Sequence, residues 1–279
     1  MRKYMCLSSG LLFLSVPAPA LADGIFDDAV NVINQGLDVI IPGDFNMRDI
    51  RARAGLGIGL APDFVGADDY SFRALPLLDI AYKDKFRLFG TQATLRLYSY
   101  EWLHMGALVR YRAGRGEGDS PALQGLGRVG GGFEAGGYIE ARFKKTVLRT
   151  RFSQDISGAQ DGLTIFMTAD QGLYRSSDGK FAAAAGTRLT WTSKKFAQAF
   201  YGINEEQSQN SGLDVFEAGG SFRDATIRGF ARYDLTDHWR LSGILQLSRL
   251  VGDAKRSPLV QERGDPNQIL TGVALLYEF

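Results

Sequence analysis

The sequence predicts an all-β protein, a transmembrane antiparallel up-and-down β-barrel of about 12 strands with a short N-terminal helical segment before it. Three observations point there. From Asp49 to the carboxyl end, apolar residues alternate with polar or small ones in long runs. Those runs reach the roughly 9–11 residues that a tilted strand needs to cross a bilayer. The segments between them alternate between short polar turns and longer loops, the arrangement of barrels in an outer membrane.

The front of the chain reads as a secretory signal. Met1-Arg2-Lys3 is basic, an apolar stretch follows through Leu11, Leu12, Phe13, Leu14 and Val16, and "APALAD" places small residues at Ala20 and Ala22. Cleavage after Ala22 is expected. The apolar stretch is too short to span about 30 Å of hydrocarbon and is interrupted by Pro17 and Pro19. Cys6, the single cysteine, falls in the removed part. The mature chain then offers no disulfide, thiol nucleophile or cysteine metal site. Removing Arg2 and Lys3 leaves 30 basic against 31 acidic residues, a balance that gives no reason to expect nucleic acid as a partner. After Ala22 no run of 18 apolar residues occurs, so no helical membrane span is expected.

Residues 23–48 form a separate periplasmic segment. Phe26, Val30, Ile33, Leu37 and Ile40 make one stripe of a helix, opened by Asp27 and Asp28 and stopped before Pro42-Gly43. The plain reading is a short helix packed on the barrel. The sharper one is a plug or a partner-docking helix.

The barrel, residues 49–279, follows from the change to a period of two. In "IRARAGLGIGLA", Ile50 to Leu60 form one face, and Arg51, Arg53 and three glycines the other. "MGALVRYR", "FEAGGYIEARF", "VLRTRFSQD", "ATIRGFARYDL" and "WRLSGILQLSRL" alternate in the same way. The apolar face mixes Leu, Ile and aromatics with Ala and Gly, which suits a wall facing lipid. The other face mixes small residues with charges, which suits a narrow lumen. Arg51, Arg53, Glu134, Glu140, Arg149, Arg151, Arg228 and Arg232 are expected to face that lumen, where Asp79, Asp155 and Asp234 can help neutralise them. Buried singly, each charge would cost several kcal/mol. Aromatics near strand ends, such as Tyr82, Trp102, Trp191 and Trp239, resemble interfacial girdles. "YKDKF", "FKKT" and "LTDHW" are short turns. "APDFVGADDY", "GRGEGDSPALQGLG", "NEEQSQNSGLD" and "VGDAKRSPLVQERGDPNQ" are long loops.

The final strand alternates up to its last residue through Thr271, Val273, Leu275, Tyr277 and Phe279. A barrel has no free edge, so this strand should pair with the first. Tyr277 and Phe279 are expected to form the signal read by the outer-membrane assembly machinery, a strand-addition mode of recognition. Catalysis is not expected. His104 sits at a strand start and His238 in a tight turn, neither beside a serine in a recognisable motif. Asp68-Asp69 lacks a third metal ligand, and "GLGRVGGG" leads into alternation instead of a phosphate-binding helix. No cofactor or metal is expected.

Ordered stretches from residue 55 to 279 resemble the MltA-interacting protein (MipA/OmpV) family of outer-membrane proteins. They are "GLGIGLAPDFVGADDYSFRALPLLDIAY", "YRAGRGEGDSPALQGLG", "FYGI" with "NSGLDVFEAGG", "YDLTDHWRL", "SRLVGDAKRSPLV" and "LLYEF". Most specific are Pro62 to Tyr70, Ser211-Gly212-Leu213, and Arg249-Leu250 leading to Ser257-Pro258. The resemblance implies a barrel in the cell outer membrane, surrounded by outer-membrane lipid. It further implies a non-enzymatic scaffold or binding platform linking a periplasmic murein hydrolase to a murein synthase. The alternatives it leaves are a barrel for passage of small polar solutes and a surface adhesin. The helix-like stretch 26–41 departs from the family pattern.

Overall fold

The structure is a computed structural model, and it describes residues 50–279. The expected signal peptide (1–22) and N-terminal segment (23–48) lie outside the described residues. Twelve antiparallel strands form one closed barrel in sequence order. They are β1 (Ile50–Pro62), β2 (Tyr70–Tyr82), β3 (Phe86–Phe89), β4 (Gln92–Tyr100), β5 (Leu103–Arg112), β6 (Gly132–Phe143), β7 (Thr146–Asp155), β8 (Leu163–Arg175), β9 (Phe181–Thr192), β10 (Ser221–Asp234), β11 (Trp239–Leu250) and β12 (Asn267–Glu278). Closure is made by β1 against β12, in register from Arg53 with Glu278 to Leu60 with Thr271. Following the partners of Arg53 round the wall returns to β1 roughly 16 residues farther along, a stagger that tilts twelve strands by about 40°.

Alternation decides which side chain goes where. On β10, Asp224, Thr226, Arg228, Phe230 and Arg232 are buried, while Ala225, Ile227 and Tyr233 are exposed. On β12, Gln268, Leu270, Gly272, Ala274 and Leu276 are buried between exposed Ile269, Val273 and Leu275. Large apolar side chains cover the outside, with Leu56 71 % and Phe72 74 % exposed. So broad an apolar surface is right for a wall whose solvent is hydrocarbon. Among the described residues no helix is long and apolar enough to cross a membrane; the strands do the crossing.

Short turns join the strands at one end. Lys144 and Lys145 alone connect β6 to β7, with Lys144 in the left-handed region (φ 52°). At the other end all connections but the two-residue β3–β4 turn are long, and they carry helices that the loop reading did not anticipate. These are α1 (Lys194–Tyr201), α2 (Glu205–Ser211), α3 (Gly252–Arg256) and α4 (Pro258–Arg263). By the general rule for such barrels, the short-turn end is periplasmic and the long-loop end extracellular.

The wall has one irregularity that the alternation did not reveal. β3 is four residues long and pairs with β2 only from Asp79 to Tyr82. The outer half of β2 therefore has β1 on one side and no strand on the other. Gly90 N–H donates to the Leu78 carbonyl, so the backbone groups of Leu78, and of Pro76 two residues away, aim at this open side. Pro76 thus lacks an N–H where no strand would accept it, the position a strand proline tolerates.

Leu56 faces outward near mid-strand. Leu56→Arg is expected to lower stability by about 2–4 kcal/mol in lipid vesicles, read by urea unfolding. The effect should be largest here and shrink for the same change at Ile50, near the strand end.

Candidate functional site

The barrel interior is filled by ion pairs on one side and apolar side chains on the other. Arg228 on β10 reaches across to Asp170 on β8, with Nε 3.0 Å and Nη2 2.7 Å from the carboxylate, and both side chains are fully buried. Glu134 on β6 accepts from Arg110 Nε (2.7 Å), from Arg112, and from Ser153 Oγ (2.6 Å). Asp224 accepts from Arg223 (2.7 Å) and Thr190 (3.0 Å), with Arg188 at 3.5 Å. Phe166 on β8 is buried among the guanidiniums of Arg110, Arg151 and Arg188, 5.1–5.8 Å from its ring centre, a cation–π cluster in a dry setting. On the opposite side Leu75, Leu77, Phe89, Phe230, Ile244, Leu270 and Leu276 pack together inside the barrel. Arginines brought inward by strand parity must be desolvated, and they remain stable only because carboxylates or aromatic faces meet them.

The extracellular end is a dome built from four connections. Phe64, Ala67, Leu123, Leu126, Ile203, Leu213 and Leu259 form one small core. Ala197, Tyr201, Ala218, Leu250, Ala254 and Val260 form a second, and Phe216 packs on both. Polar contacts lace the loops together. Arg263 donates to the carbonyls of Ala122 (3.2 Å), Gln124 (3.3 Å) and Ser211. Arg115 donates to the Phe200 carbonyl (2.6 Å), and Ser257 to that of Tyr201 (2.7 Å). Gly125 has φ +83°, and a Cβ there would sit 2.6 Å from the Asn210 carbonyl oxygen, so the approach needs glycine. Asp253 accepts from the Gly219 N–H (2.5 Å) and pairs with Arg256. The backbone bond first, and the arginine second, hold its carboxyl below the ordinary aspartate value. A cavity beneath the dome, lined by Arg188, Asp224, Gln246 and Gln268, has a volume of about 40 Å³, room for a few waters only.

The periplasmic end is open. A cavity of about 410 Å³ lies between β1, β12 and the β8–β9 and β10–β11 turns. Arg53, Arg175, Lys180, Arg240, Asp178, Asp234, Asp237 and Glu278 line it, with His238 and Trp239 at the edge. Arg53 Nε donates to Glu278 (2.8 Å) and Arg240 Nε to Asp234 (2.5 Å). Arg232, outside the lining, is 3 % exposed and 3.5 Å from the same Asp234. Arg232 Nε and Arg240 Nη1 are buried and find no hydrogen-bond partner among the described residues.

Of the residues expected in the lumen, Arg53, Glu134, Glu140, Arg151, Arg228 and Arg232 are buried and Arg51 and Arg149 half-buried, and their partners differ from the simple pairing. Arg53 joins Asp79 and Glu278, and Glu140 joins Arg142 and Arg149. Arg151 donates to Gln92 (2.9 Å), while Arg51 is half-buried near the start of β1. Arg228 takes Asp170, a residue absent from the sequence-derived group. Asp155 is not a lumen counter-ion: it accepts from Ser157 and from the Gln160 and Asp161 N–H groups of the β7–β8 loop. Asp170, Phe166, Arg110, Arg112, Arg188 and Asp224 were missed, although "LTIFMTADQ" carries the same alternation. Tyr277 stacks on His238 (5.6 Å) and meets Trp239 and Phe279 edge-on at 5.0 Å. The His238 ring also contacts the Glu278 carbonyl (3.1 Å). His104 does have a serine beside it, Ser99 Oγ at 2.7 Å from Nδ1. The carboxylate across from it, Glu140, is already held by two arginines. Among the described residues no group of acids, histidines or cysteines is placed to hold a metal ion.

A family description, MltA-interacting protein MipA, matches residues 54–279. The chain belongs to the MltA-interacting protein family. Of the stretches that resemble the family, Pro62–Tyr70, 111–127, Ser211–Leu213 and 249–258 fall in or beside the dome, while 233–241 and 275–279 lie at the short-turn end. The MltA-interacting protein of Escherichia coli K12 is 26 % identical over 132 residues, which is 47 % of this chain and 50 % of that protein. The Shigella flexneri protein of the same description matches equally. The chain thus spans about half the length of these relatives. Among solved structures, the translocator domain of the autotransporter NalP from Neisseria meningitidis is 11 % identical, with a TM-score of 0.47, over 94 % of this chain and 100 % of that one. An outer membrane channel from Pseudomonas putida F1 is 9 % identical, with a TM-score of 0.39, over 86 % and 100 %. As a member of the family, this barrel resides in the outer membrane.

Two outcomes are expected for the interior and the dome. Arg228→Ala leaves Asp170 charged and alone, and should cost about 3–5 kcal/mol in urea unfolding. Replacing both by apolar residues of similar size should recover most of that loss. Asp253 has a folded-state value below its unfolded one, so its contribution is complete above about pH 4 and fades as pH falls further. The protection of the Gly219 amide, its exchange rate relative to the intrinsic rate at each pH, should fall in that acid range, and Asp253→Asn should remove this pH dependence of protection.

Proposed function

We propose that this protein is a non-enzymatic binding platform whose periplasmic mouth holds a murein-processing enzyme at the outer membrane. One observation carries the reading: the extracellular end is domed over, while the accessible 410 Å³ cavity faces the murein side. The family's name describes an interaction with MltA, and the curated relatives carry that name. A mouth edged by charged turns and by Trp239 and His238 offers the polar rim and aromatic anchor that protein interfaces use. Linking a hydrolase to a synthase is the finer form of the proposal. Passage of small polar solutes fits less well, because the Arg228–Asp170 pair crosses the interior and the dome lies above it. We also propose that Tyr277 and Phe279 on β12 act as the assembly signal.

Co-purification from envelope extract is the test. The full chain is expected to bring down a murein hydrolase. Arg175→Glu with Asp237→Lys, two changes at the mouth rim, should reduce the yield at least tenfold while the barrel still assembles. No enriched murein enzyme with the unaltered protein would refute the proposal, as would stable ion channels from it in planar bilayers.

A further inference from the structure

We propose that the periplasmic cavity binds short peptides that carry two carboxylates and one ammonium group. The peptide stems of murein bear that set of groups, so the barrel holds the wall material itself as well as a wall enzyme. The proposal rests on the reading of this end as the murein-facing mouth, and not on capture of the enzyme.

The charges lining the cavity fall into two sets. Those on β1, β10, β11 and β12 satisfy each other: Arg53 Nε donates to Glu278 (2.8 Å) and Arg240 Nε to Asp234 (2.5 Å). The others stand on two neighbouring turns, residues 176–180 between β8 and β9 and residues 235–238 between β10 and β11, or at the strand end beside them. The turns are fastened together where the Asp234 N–H donates to the Lys180 carbonyl (2.9 Å).

Local bonding fixes both turns and decides which charges remain available. Asp178 accepts from Ser176 Oγ (2.5 Å) and from the Lys180 N–H (3.1 Å), next to Gly179 in the left-handed region (φ +73°). Its carboxylate therefore serves the turn. Thr236 Oγ1 accepts from the N–H groups of His238 (3.3 Å) and Trp239 (3.0 Å), and the His238 ring stacks on Tyr277. Three lining charges are left over: Arg175 and Lys180 at the first turn and Asp237 on the second. All three are exposed, and none has a hydrogen bond or ion pair among the described residues.

Two cations at one turn and an anion on the next make a template for a ligand with two negative groups and one positive. A guanidinium takes a carboxylate by two parallel bonds, an ammonium takes a second as a point charge, and Asp237 takes the ligand's amine. The volume of about 410 Å³ is that of a small-ligand pocket. Each contact is open to water and weak alone, so a single peptide binds loosely and exchanges fast.

The probe is the tripeptide Ala-Glu-Ala, whose free termini and acidic side chain supply the three groups. It is titrated into the full chain folded in detergent and followed by calorimetry. Saturable binding is expected, weakening at least tenfold when salt rises from about 0.05 M to 0.5 M. Acetylating the peptide's amine, or amidating its carboxyl terminus, should each weaken binding at least fivefold, a comparison that needs no change in the protein. Asp237→Asn should bring the free peptide down to the acetylated one and leave the acetylated one as it was, because both changes remove the same contact. Arg175→Gln with Lys180→Gln should likewise erase the effect of amidation. No saturable binding below about 10 mM, or equal binding of the three peptides by the unaltered protein, would overturn the proposal. Purified, protein-free murein sacculi should sediment the barrel, and sacculi stripped of peptide by an amidase should not. Tripeptide binding without retention on intact sacculi would overturn the murein assignment. No hydrolase is present in these measurements, so loss of peptide binding and loss of enzyme capture are separate results.

Discussion

The constraint on which everything else depends is the hydrogen bonding of the backbone in hydrocarbon. No water is present there to satisfy an N–H or C=O, so a sheet that crosses must close on itself. The ladder between β1 and β12 provides that closure. Once it exists, inward and outward become fixed for every strand, because side chains alternate strictly. Polar residues are then committed to an interior too narrow to hydrate them. The Arg228–Asp170 pair, the arginines around Glu134 and the guanidinium cage of Phe166 are consequences of that enclosure. They are less a source of stability than a way to make an arginine-rich interior tolerable.

The two ends solve different problems. At the extracellular end the connections are long enough to bury apolar residues against each other, and they form two small cores with their own helices. At the periplasmic end the turns are too short for any core, so charge and hydrogen bonding alone organise the surface. This asymmetry leaves packed loops over one end of the barrel and an open, charged cavity at the other. Loop–loop packing demands particular residues, such as Gly125 against Asn210, whereas a lipid-facing strand accepts many.

Much of the wall was legible in the sequence. The period-two runs of β1, β6, β10 and β11 located their strands to within a few residues, since lipid on one face and a lumen on the other leave a strong alternating mark. Tight turns such as Phe143 to Thr146 were equally plain. Three things were not. Partner choice inside the lumen depends on stagger around the barrel, so Arg228 meeting Asp170, 58 residues away, left no local trace. Asp155 read as a lumen charge by parity, yet it lies at a strand end where the loop's N–H groups compete for it. The dome helices were hidden in loops whose polar residues mask a few apolar contacts made far apart in sequence.

The abbreviated β3–β4 hairpin has a consequence for shape. Twelve strands encircle the barrel near the periplasmic face, but only ten continue past the turn at Gly90 and Thr91. Past that turn β2 keeps its ladder with β1 alone, so an otherwise closed wall carries one local sheet edge.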